Sequence, residues 1–351
     1  MKRILITGGA GFVGSSLATR FRKEFPEADI ICLDNLYRKG AELNRERITR
    51  AGIKFIKGDV RYKASFDIPA CDLVVDAAAE PSVTAGNKDD CSYVVDTNLV
   101  GTLNTLEAAK KWSAKLLFLS TSRVYPVESL KNIALDDSKM RFEIAKTQTL
   151  PGITSEGISE SFPLMGARTL YGATKFASEI MVAEYASQFG LQTLINRCGV
   201  LAGPWQMGKV DQGVVALWIA AHHYHRPLRY IGYNGKQVRD TLHIDDFGDL
   251  IMQQLEKSSV WDGRAYAVGG GIKVSVSLQE LTVIASETTG NNIKITSEPS
   301  VRSGDIPLYI TDCTKVRGDF NWNPQRMVKD IAVDIGRWIT ENEDVLRPIF
   351  C

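Results

Sequence analysis

The sequence predicts an α/β fold in which helices cover both faces of a doubly wound parallel sheet. Short apolar runs, typical of buried strands, alternate with segments of helical periodicity along the amino-terminal half. A glycine-rich turn follows the first run, and small or polar residues follow the later ones, where the ligand crevice of such a sheet lies. We therefore predict a Rossmann-type sheet with a smaller α/β substrate-binding lobe.

The first apolar run, Arg3–Thr7, leads through three spaced glycines into a helix. Glycine at such a turn lets backbone N–H groups approach a pyrophosphate, and the positive end of the helix dipole points at the same phosphates. The turn therefore predicts a dinucleotide site. Its predicted phosphate-binding residues are Gly8, Gly11, Phe12, Val13 and Gly14.

The second predicted strand, 29–33, is followed by Asp34, which lies twenty residues beyond Gly14. A carboxylate at this position accepts hydrogen bonds from both ribose hydroxyls of an adenosine and repels a 2′-phosphate, so the pattern favours NAD. Arg38 and Lys39 lie close by and keep NADP open as an alternative. The predicted residues at this rim of the cofactor site are Asp34, Asn35, Arg38, Lys39 and Gly40.

The third and fourth predicted strands, Lys54–Lys57 and 73–79, also end in candidate cofactor residues. Asp59 can reach an adenine edge, although a surface salt bridge is an equally good interpretation. The small residues Ala77, Ala78 and Ala79 would let the backbone pass close to the cofactor, or they reflect tight packing alone.

The remaining elements continue the alternation. We predict helices over 98–112, 171–189, 245–257 and 328–340 and strands over 116–119, 193–196 and 265–268. Residues 126–167 interrupt the pattern with prolines, glycines and mixed charge, and we expect a substrate-side excursion with one helix around 139–147. The predicted division is a cofactor-binding domain over 1–197, with return elements at about 245–270, and a second lobe over 198–351.

A second motif, Tyr171-Gly-Ala-Thr-Lys175, opens a predicted helix. Residues four apart lie on the same helix face, so the ammonium can stand beside the phenol and favour its ionised form. Thr121, at the end of a neighbouring strand, can hydrogen-bond the same substrate oxygen. Such a tyrosine and lysine are often only an exposed pair, but after a dinucleotide fingerprint they predict a catalytic base, Tyr171, with Lys175 as its partner.

Bulk properties exclude several classes of function. The 351 residues contain 42 Lys and Arg against 41 Asp and Glu, which gives no basic surface for nucleic acid or an anionic membrane. The six cysteines form no CxxC pair, and we expect reduced thiols. No charged leader and no membrane-length apolar run occurs, so we expect a cytoplasmic protein. His222, His223 and His225 lack partners at ligand spacing, and we expect no metal.

These motifs resemble those of the extended short-chain dehydrogenase/reductases, and specifically of the nucleotide-sugar epimerases. The correspondence covers nearly the whole chain. Within that family the chain is most similar to the CDP-tyvelose (CDP-paratose) 2-epimerases. The residues that support the resemblance are Gly8, Gly11, Gly14, Asp34-Asn-Leu-Tyr-Arg-Lys-Gly40, Asp59, Thr121, Tyr171, Lys175, Asp211-Gln-Gly213, Asn234-Gly-Lys-Gln-Val-Arg-Asp240, Arg302 and Asp305.

The resemblance implies that tightly held NAD transiently oxidises a sugar hydroxyl, at C2 in the tyvelose-type enzymes, and returns the hydride to the opposite face. It also implies a homodimer or homotetramer paired through the helices at 98–112 and 171–189. It adds Val60 and Asn98 to the cofactor residues. The implied residues for a nucleotide-diphosphate sugar, most simply CDP-linked, are Thr121, Ser122, Arg123, Gln212, Gln237, Arg239, Arg302 and Asp305.

Three functions remain open at this stage: a 2-epimerase, a 4-epimerase and a redox sensor. Dehydratases of the family carry an Asp-Glu pair directly after the catalytic threonine, whereas this chain has Ser122-Arg123, so dehydration is disfavoured. A UDP-sugar 4-epimerase would use the same catalytic residues on another hydroxyl and is the main alternative to a 2-epimerase. A non-catalytic dinucleotide-binding redox sensor is the second alternative, although such proteins tend to lose the tyrosine or lysine that this chain retains.

Overall fold

The computed structural model describes residues 1–86, 90–209 and 212–351. Its strands are β1 (Arg3–Thr7), β2 (Asp29–Asp34), β3 (Lys54–Lys57), β4 (Leu73–Asp76), β5 (Lys115–Thr121), β6 (Leu135–Asp137), β7 (Phe142–Ile144), β8 (Ile153–Thr154), β9 (Gly157–Ile158), β10 (Thr193–Cys198), β11 (Val200–Ala202), β12 (Leu228–Ile231), β13 (Val238–His243), β14 (Ala265–Val268), β15 (Ser275–Ser277), β16 (Ile295–Glu298) and β17 (Leu308–Tyr309).

Its α-helices are α1 (Phe12–Glu24), α2 (Ala41–Arg50), α3 (Ser92–Val95), α4 (Gly101–Trp112), α5 (Val127–Lys131), α6 (Leu170–Phe189), α7 (Val214–His223), α8 (Ile244–Glu256), α9 (Leu278–Thr289), α10 (Thr314–Phe320), α11 (Val328–Glu341) and α12 (Glu343–Phe350). A π-helical segment, Asp96–Val100, joins α3 to α4, so the helix predicted over 98–112 starts earlier and is irregular there.

The seven-stranded sheet confirms the predicted Rossmann-type α/β fold. Its strand order is β14-β10-β5-β4-β1-β2-β3, and β1 pairs in parallel with both β2 and β4. The order reverses direction between β1 and β4, which makes that gap the topological switch point where such sheets bind ligands at their strand carboxyl ends. The glycine turn after β1 and the alanines after β4 lie at this point.

Burial on both faces of the sheet explains why the sequences of these strands are continuous apolar runs. Ile4, Leu5 and Ile6 of β1 are fully buried, because helices cover both faces of a parallel sheet. On one face, Leu5 belongs to a cluster with residues of β4 and α4, including Val74 and Leu106. The sheet therefore fixes the positions of the residues at its carboxyl edge.

The chain separates into two compact units. The first comprises residues 1–124, 170–197 and 248–266, and the second 125–169, 198–247 and 267–351. Within the second unit, β13 pairs with β11, β15 and β17, and α7, α9 and α11 pack together. The division at residue 197 that the sequence suggests stays a prediction.

The predicted helix around 139–147 is wrong, because this segment forms part of a β-hairpin. Strands β6 and β7 pair antiparallel, and Ser138 closes the turn by donating from its backbone N–H to the Arg141 carbonyl at 3.0 Å. Phe142 and Ile144 alternate along β7 and pack against Val238. This long-range burial outweighs the weak helical pattern of the segment.

Two global predictions can be compared with the described residues. None of the helices described is both long and apolar enough to cross a bilayer. All six cysteines are free thiols, as expected, and four of them are buried.

Candidate active site

The glycine turn after β1 is built so tightly that side chains cannot enter it. Gly8 has φ +63°, and a Cβ there would lie 2.7 Å from the Ala77 carbonyl oxygen. A Cβ on Gly14 would lie 2.2 Å from the Gly8 carbonyl oxygen, and Gly11 N–H donates to that oxygen at 2.9 Å. The turn therefore brings bare backbone to the switch point, as a pyrophosphate site requires.

Helix α1 begins at the end of this turn. Gly11 is its N-cap, no side chain among the described residues caps it by a hydrogen bond, and its first turn contains no acidic residue. The first N–H groups of an α-helix have no intrahelical acceptor, so the backbone at Phe12 and Val13 suits a diphosphate. These residues fit the phosphate part of a dinucleotide.

Asp34 ends β2 and holds the glycine turn from the side. Its Oδ2 accepts the Ala10 N–H at 3.0 Å, and its Oδ1 accepts the Leu36 N–H at 2.8 Å. Burial raises the pKa of Asp34, and these backbone hydrogen bonds oppose that rise. A carboxylate has about four acceptor sites, more than these backbone donors use, so the group fits a ribose hydroxyl of an adenosine.

Asp59 follows β3 and is held by two neighbours. Arg61 donates to both carboxylate oxygens, at 3.0 Å from Nε and 2.8 Å from Nη2, and Asn35 Nδ2 donates at 3.0 Å. Burial opposes ionisation of Asp59, but the hydrogen bonds from Arg61 and Asn35 outweigh it and lower its pKa to about 2. The salt bridge considered from the sequence is therefore present, and the contact with adenine stays a prediction.

The other predicted cofactor residues line the same carboxyl edge. Arg38, Lys39 and Gly40 form the turn into α2, in which Gly40 has φ +86° and the Ala41 N–H donates to the Arg38 carbonyl at 3.0 Å. The backbone after β4 is fixed because the Ala78 N–H donates to Thr7 Oγ1 at 3.2 Å. Three more residues lie beside these segments: Val60, Ala77 and Ala79.

Asn98 is fully buried, and both the oxygen and the nitrogen of its side-chain amide are hydrogen-bonded. Its Oδ1 accepts the Glu80 N–H at 2.8 Å, while Nδ2 donates to the Glu80 carbonyl and to Thr174 Oγ1, each at 3.1 Å. Thr174 lies between the two catalytic candidates on α6 and donates to the Tyr171 carbonyl at 2.9 Å. The Asn98 amide is thus joined to α6 through Thr174, and its contact with a cofactor stays a prediction.

Helix α6 carries both Tyr171 and Lys175 in its first turns, alongside β5. Lys175 is buried, and its Nζ lies 4.0 Å from the ring centroid of Phe118, which precedes Thr121 on the same strand. A cation over an aromatic face is stabilised without losing its charge. The Lys175 side chain therefore lies against β5, the strand that ends at Thr121.

Thr121 and the two residues after it end β5. The Thr121 Oγ1 accepts the Arg123 N–H at 3.2 Å, and Ser122–Val124 form a short 3₁₀ turn. The two residues directly after the threonine thus carry a hydroxyl and a guanidinium rather than a pair of carboxylates.

The predicted diphosphate ligand Arg239 lies on β13 in the second unit and is partly engaged. Its Nη2 donates to Asp305 Oδ1 and to the Ile306 carbonyl, each at 2.8 Å, and Nη1 donates to the Val238 carbonyl at 2.7 Å. Burial lowers the pKa of Arg239, and Asp305 opposes this effect. Within the described parts of the chain these contacts leave Nε–H and one Nη1–H for another acceptor.

The other predicted substrate residues of the second unit differ in which of their atoms are hydrogen-bonded. Gln237 is buried and donates from Nε2 to the Ile231 carbonyl at 3.2 Å, while its Oε1 has no partner among the described residues. Gln212 pairs through its backbone with Lys209, and Arg302 accepts the Asp305 N–H at its carbonyl, 3.1 Å away. Asp211 lies outside the described residues.

The sequence did not predict a buried network of hydrogen bonds around Glu179 of α6. Glu179 accepts hydrogen bonds from Arg197 of β10 and from Ser120 of β5. The sequence spacing could have indicated this network, since Glu179 lies four residues beyond Lys175 and so on the same helix face. The contacts of Arg61 with Asp59 and with the Tyr93 ring, and of that ring with Tyr37, were also missed.

Across the part of the chain that the structure describes, no group of three or more His, Cys, Asp or Glu side chains is arranged to hold a metal. His222 is buried, with Nδ1 2.8 Å from the Trp218 carbonyl oxygen, and His223 Nε2 lies 4.0 Å from Glu343 Oε2. His222 and His223 thus each contact another group of the protein.

Comparison with known proteins identifies the family. The sequence matches the NAD dependent epimerase/dehydratase family over residues 4–269. The chain belongs to this family. This match confirms the family resemblance and the predicted NAD cofactor. The glycine turn, α1 and Asp34 provide the site that such a cofactor requires.

Individual relatives of this family differ in reaction. The chain is 30% identical to a CDP-paratose 2-epimerase of Salmonella typhi, over 96% of this chain and 98% of the relative. It is 28% identical to a dTDP-glucose 4,6-dehydratase of Mycobacterium tuberculosis strain H37Rv, over 99% and 96% of the two chains. A solved UDP-glucuronic acid 4-epimerase from Bacillus cereus, in complex with UDP-glucuronic acid and NAD, has the same fold, with a TM-score of 0.78, 23% identity and coverage of 97% and 99%.

Proposed function

We propose that this epimerase/dehydratase family member is an NAD-dependent CDP-sugar 2-epimerase. The observation that carries the proposal is the 30% identity with a CDP-paratose 2-epimerase across 96% of the chain. Retention of Tyr171 and Lys175 on one helix favours a catalyst over a redox sensor, and the absence of carboxylates directly after Thr121 disfavours a dehydratase.

The proposed reaction is redox-neutral overall. When bound by the glycine turn and Asp34, NAD would supply a reversible hydride acceptor for a sugar carbon, so that hydride return to the opposite face would invert that carbon. The Tyr171 phenolate takes the hydroxyl proton as the carbonyl forms, and the resulting phenol returns that proton when the alcohol forms again. Lys175 stabilises the phenolate by its charge, while Thr121 holds the sugar oxygen by a hydrogen bond.

The cofactor and substrate assignments follow the same proposal. The backbone of the glycine turn and of Phe12 and Val13 holds the pyrophosphate, and Asp34 holds the adenosine ribose. Arg239 offers its remaining N–H groups to a substrate phosphate, and the unpartnered Gln237 Oε1 accepts from a substrate hydroxyl or amine. Asp305 holds the Arg239 guanidinium in place.

Incubation of the protein with CDP-sugars and UDP-sugars in heavy water, followed by NMR, tests the reaction. Inversion at C2 of a CDP-sugar without solvent deuterium at C2 is expected, because the same hydride returns. Turnover only at C4 of a UDP-sugar would replace the proposal with the 4-epimerase alternative. Absence of turnover with bound NAD would favour the redox sensor.

We further propose a cytoplasmic homo-oligomer, a homodimer or homotetramer paired through the helical segments at 98–112 and 170–189. The exposed Ile180 and Phe189 of α6, 50% and 57% accessible, support this, since large apolar side chains in contact with water favour association. Light scattering of the purified protein is expected to give the mass of two or four chains, and Ile180→Glu to lower it.

A further inference from the structure

An aromatic pair at the adenosine end of the proposed cofactor site joins two segments that are far apart in sequence. Tyr37 lies in the loop after β2, where its N–H donates to Asn35 Oδ1 at 3.0 Å. Tyr93 lies in α3. The two ring centroids are 4.8 Å apart with an interplanar angle of 38°, which is a direct contact between the rings.

The pair is anchored to the residues around the acidic strand ends. The Arg61 guanidinium lies 4.9 Å from the Tyr93 ring centroid while it holds both oxygens of Asp59. Burial raises the pKa of the Tyr93 phenol, and its hydrogen bond with Asn35 opposes that rise. A continuous set of contacts therefore runs from Tyr37 through Tyr93 and Arg61 to Asp59.

The location and exposure of this pair point to a ligand. Asp34 and Asp59 end β2 and β3, and the adenosine half of a dinucleotide lies at the carboxyl ends of these strands in a doubly wound sheet. Tyr37 is 69% exposed, so the rings can separate without disturbing the core. An aromatic face beside a nucleobase offers stacking that any purine can use.

We propose that Tyr37 and Tyr93 close the outer side of the adenosine subsite and slow the release of the cofactor. A redox-neutral epimerase gains from this because its reduced cofactor must stay bound until the hydride has returned to the sugar. The inference rests on the cofactor site proposed above and is independent of which sugar is epimerised.

The test measures release of NADH from the full-length protein, displaced by excess NAD and followed by nicotinamide fluorescence. Tyr37→Ala and Tyr93→Ala are each expected to accelerate release about two- to tenfold, the range expected for one aromatic contact. Tyr93→Phe keeps the ring but loses the hydroxyl that bonds Asn35, and it is expected to release NADH more slowly than Tyr93→Ala. The double alanine variant is expected to match the faster single variant, since either substitution already breaks the pair.

Tyr62→Ala is the matched control. Tyr62 is 60% exposed, and its ring centroid lies 5.5 Å from the Arg61 guanidinium carbon. It resembles Tyr93 in this contact but is not part of the Tyr37–Tyr93 pair. Its substitution is expected to leave the release rate unchanged, and far-UV circular dichroism verifies that all variants are folded. Unchanged release in Tyr37→Ala and Tyr93→Ala, or multiplicative effects in the double variant, would overturn the proposed pair, whereas failure to bind NADH at all would instead refute the cofactor site.

Discussion

Arg197 Nη2 lies 2.8 Å from Glu179 Oε2, and both side chains are buried, with 8% and 4% of their surfaces accessible. This ion pair joins β10 to α6 one helical turn beyond Lys175. The Ser120 hydroxyl donates to the same carboxylate from β5, directly before Thr121. The elements that carry the catalytic candidates are thus tied together by buried charge and not only by apolar packing.

Removing one partner of this pair is expected to destabilise the fold strongly. Arg197→Met leaves the Glu179 carboxylate buried without its main donor, and about 3–5 kcal/mol of the free energy of unfolding is expected to be lost. Urea unfolding followed by circular dichroism measures the change. Arg50→Met is the control, because Arg50 pairs with Glu46 on the exposed surface of α2 and should contribute less than about 1 kcal/mol. Equal losses in the two variants would contradict the role assigned to burial.

Substitution of the proposed base is expected to abolish turnover without releasing the cofactor. Tyr171→Phe keeps the ring but loses the proton acceptor, so the rate should fall by about 10² to 10⁴ while NAD binding is retained. Tyr185→Phe is the control on the same helix, since its hydroxyl donates to Glu107 and has no part in the proposed reaction. The rate is measured with the NMR assay, and an undiminished rate in Tyr171→Phe would refute the assignment.

The sequence predicts the sheet well because local patterns determine it. The strand at Arg3–Thr7, the Gly8 turn and Asp34 follow from apolar runs and turn chemistry within a single βαβ unit. The hairpin at 135–144 was missed because its stability comes from Val238 and other residues distant in sequence, which no local window contains.

The partners of the candidate residues could not be predicted for the same reason. The sequence places Asp59 after a strand, but only the fold shows that Arg61 and Asn35 hold it. The resemblance gives Asn98 as a cofactor residue, which stays a prediction, but it does not show that the Asn98 amide bonds Glu80 and Thr174. A motif fixes which residue stands at a strand end but does not fix which groups its side chain contacts.

The depressed pKa of Asp59 predicts a specific loss of stability in acid. The folded value of about 2 lies below the value of about 3.9 in an unfolded chain, so the ionised carboxylate stabilises the fold fully above about pH 4. This contribution is lost as the pH falls from about 4 through about 2. Unfolding free energies at pH 5, 4, 3 and 2 are expected to fall less steeply in Asp59→Asn than in the wild type. Parallel curves would show that Arg61 does not hold the charge as described.

Asp34 is expected to determine both the affinity for NAD and the discrimination against NADP. In Asp34→Asn only one side-chain oxygen remains to accept from Ala10 N–H and Leu36 N–H, so the turn loses a charged hydrogen bond and the ribose loses its acceptor. The affinity for NAD should fall about tenfold, the effect of one such bond. The affinity for NADP should fall less or rise, because the repulsion of its 2′-phosphate by the carboxylate is removed.

A second acid of the same sheet provides the control for this experiment. Asp72, just before β4, also accepts two backbone N–H groups, from Lys2 and Arg3, but at the opposite edge of the sheet. Asp72→Asn is therefore expected to lower the free energy of unfolding without changing either dissociation constant. Titration calorimetry with NAD and with NADP gives both dissociation constants. An unchanged ratio of the two constants in Asp34→Asn would show that another group selects the cofactor, with Arg38 and Lys39 the first residues to test.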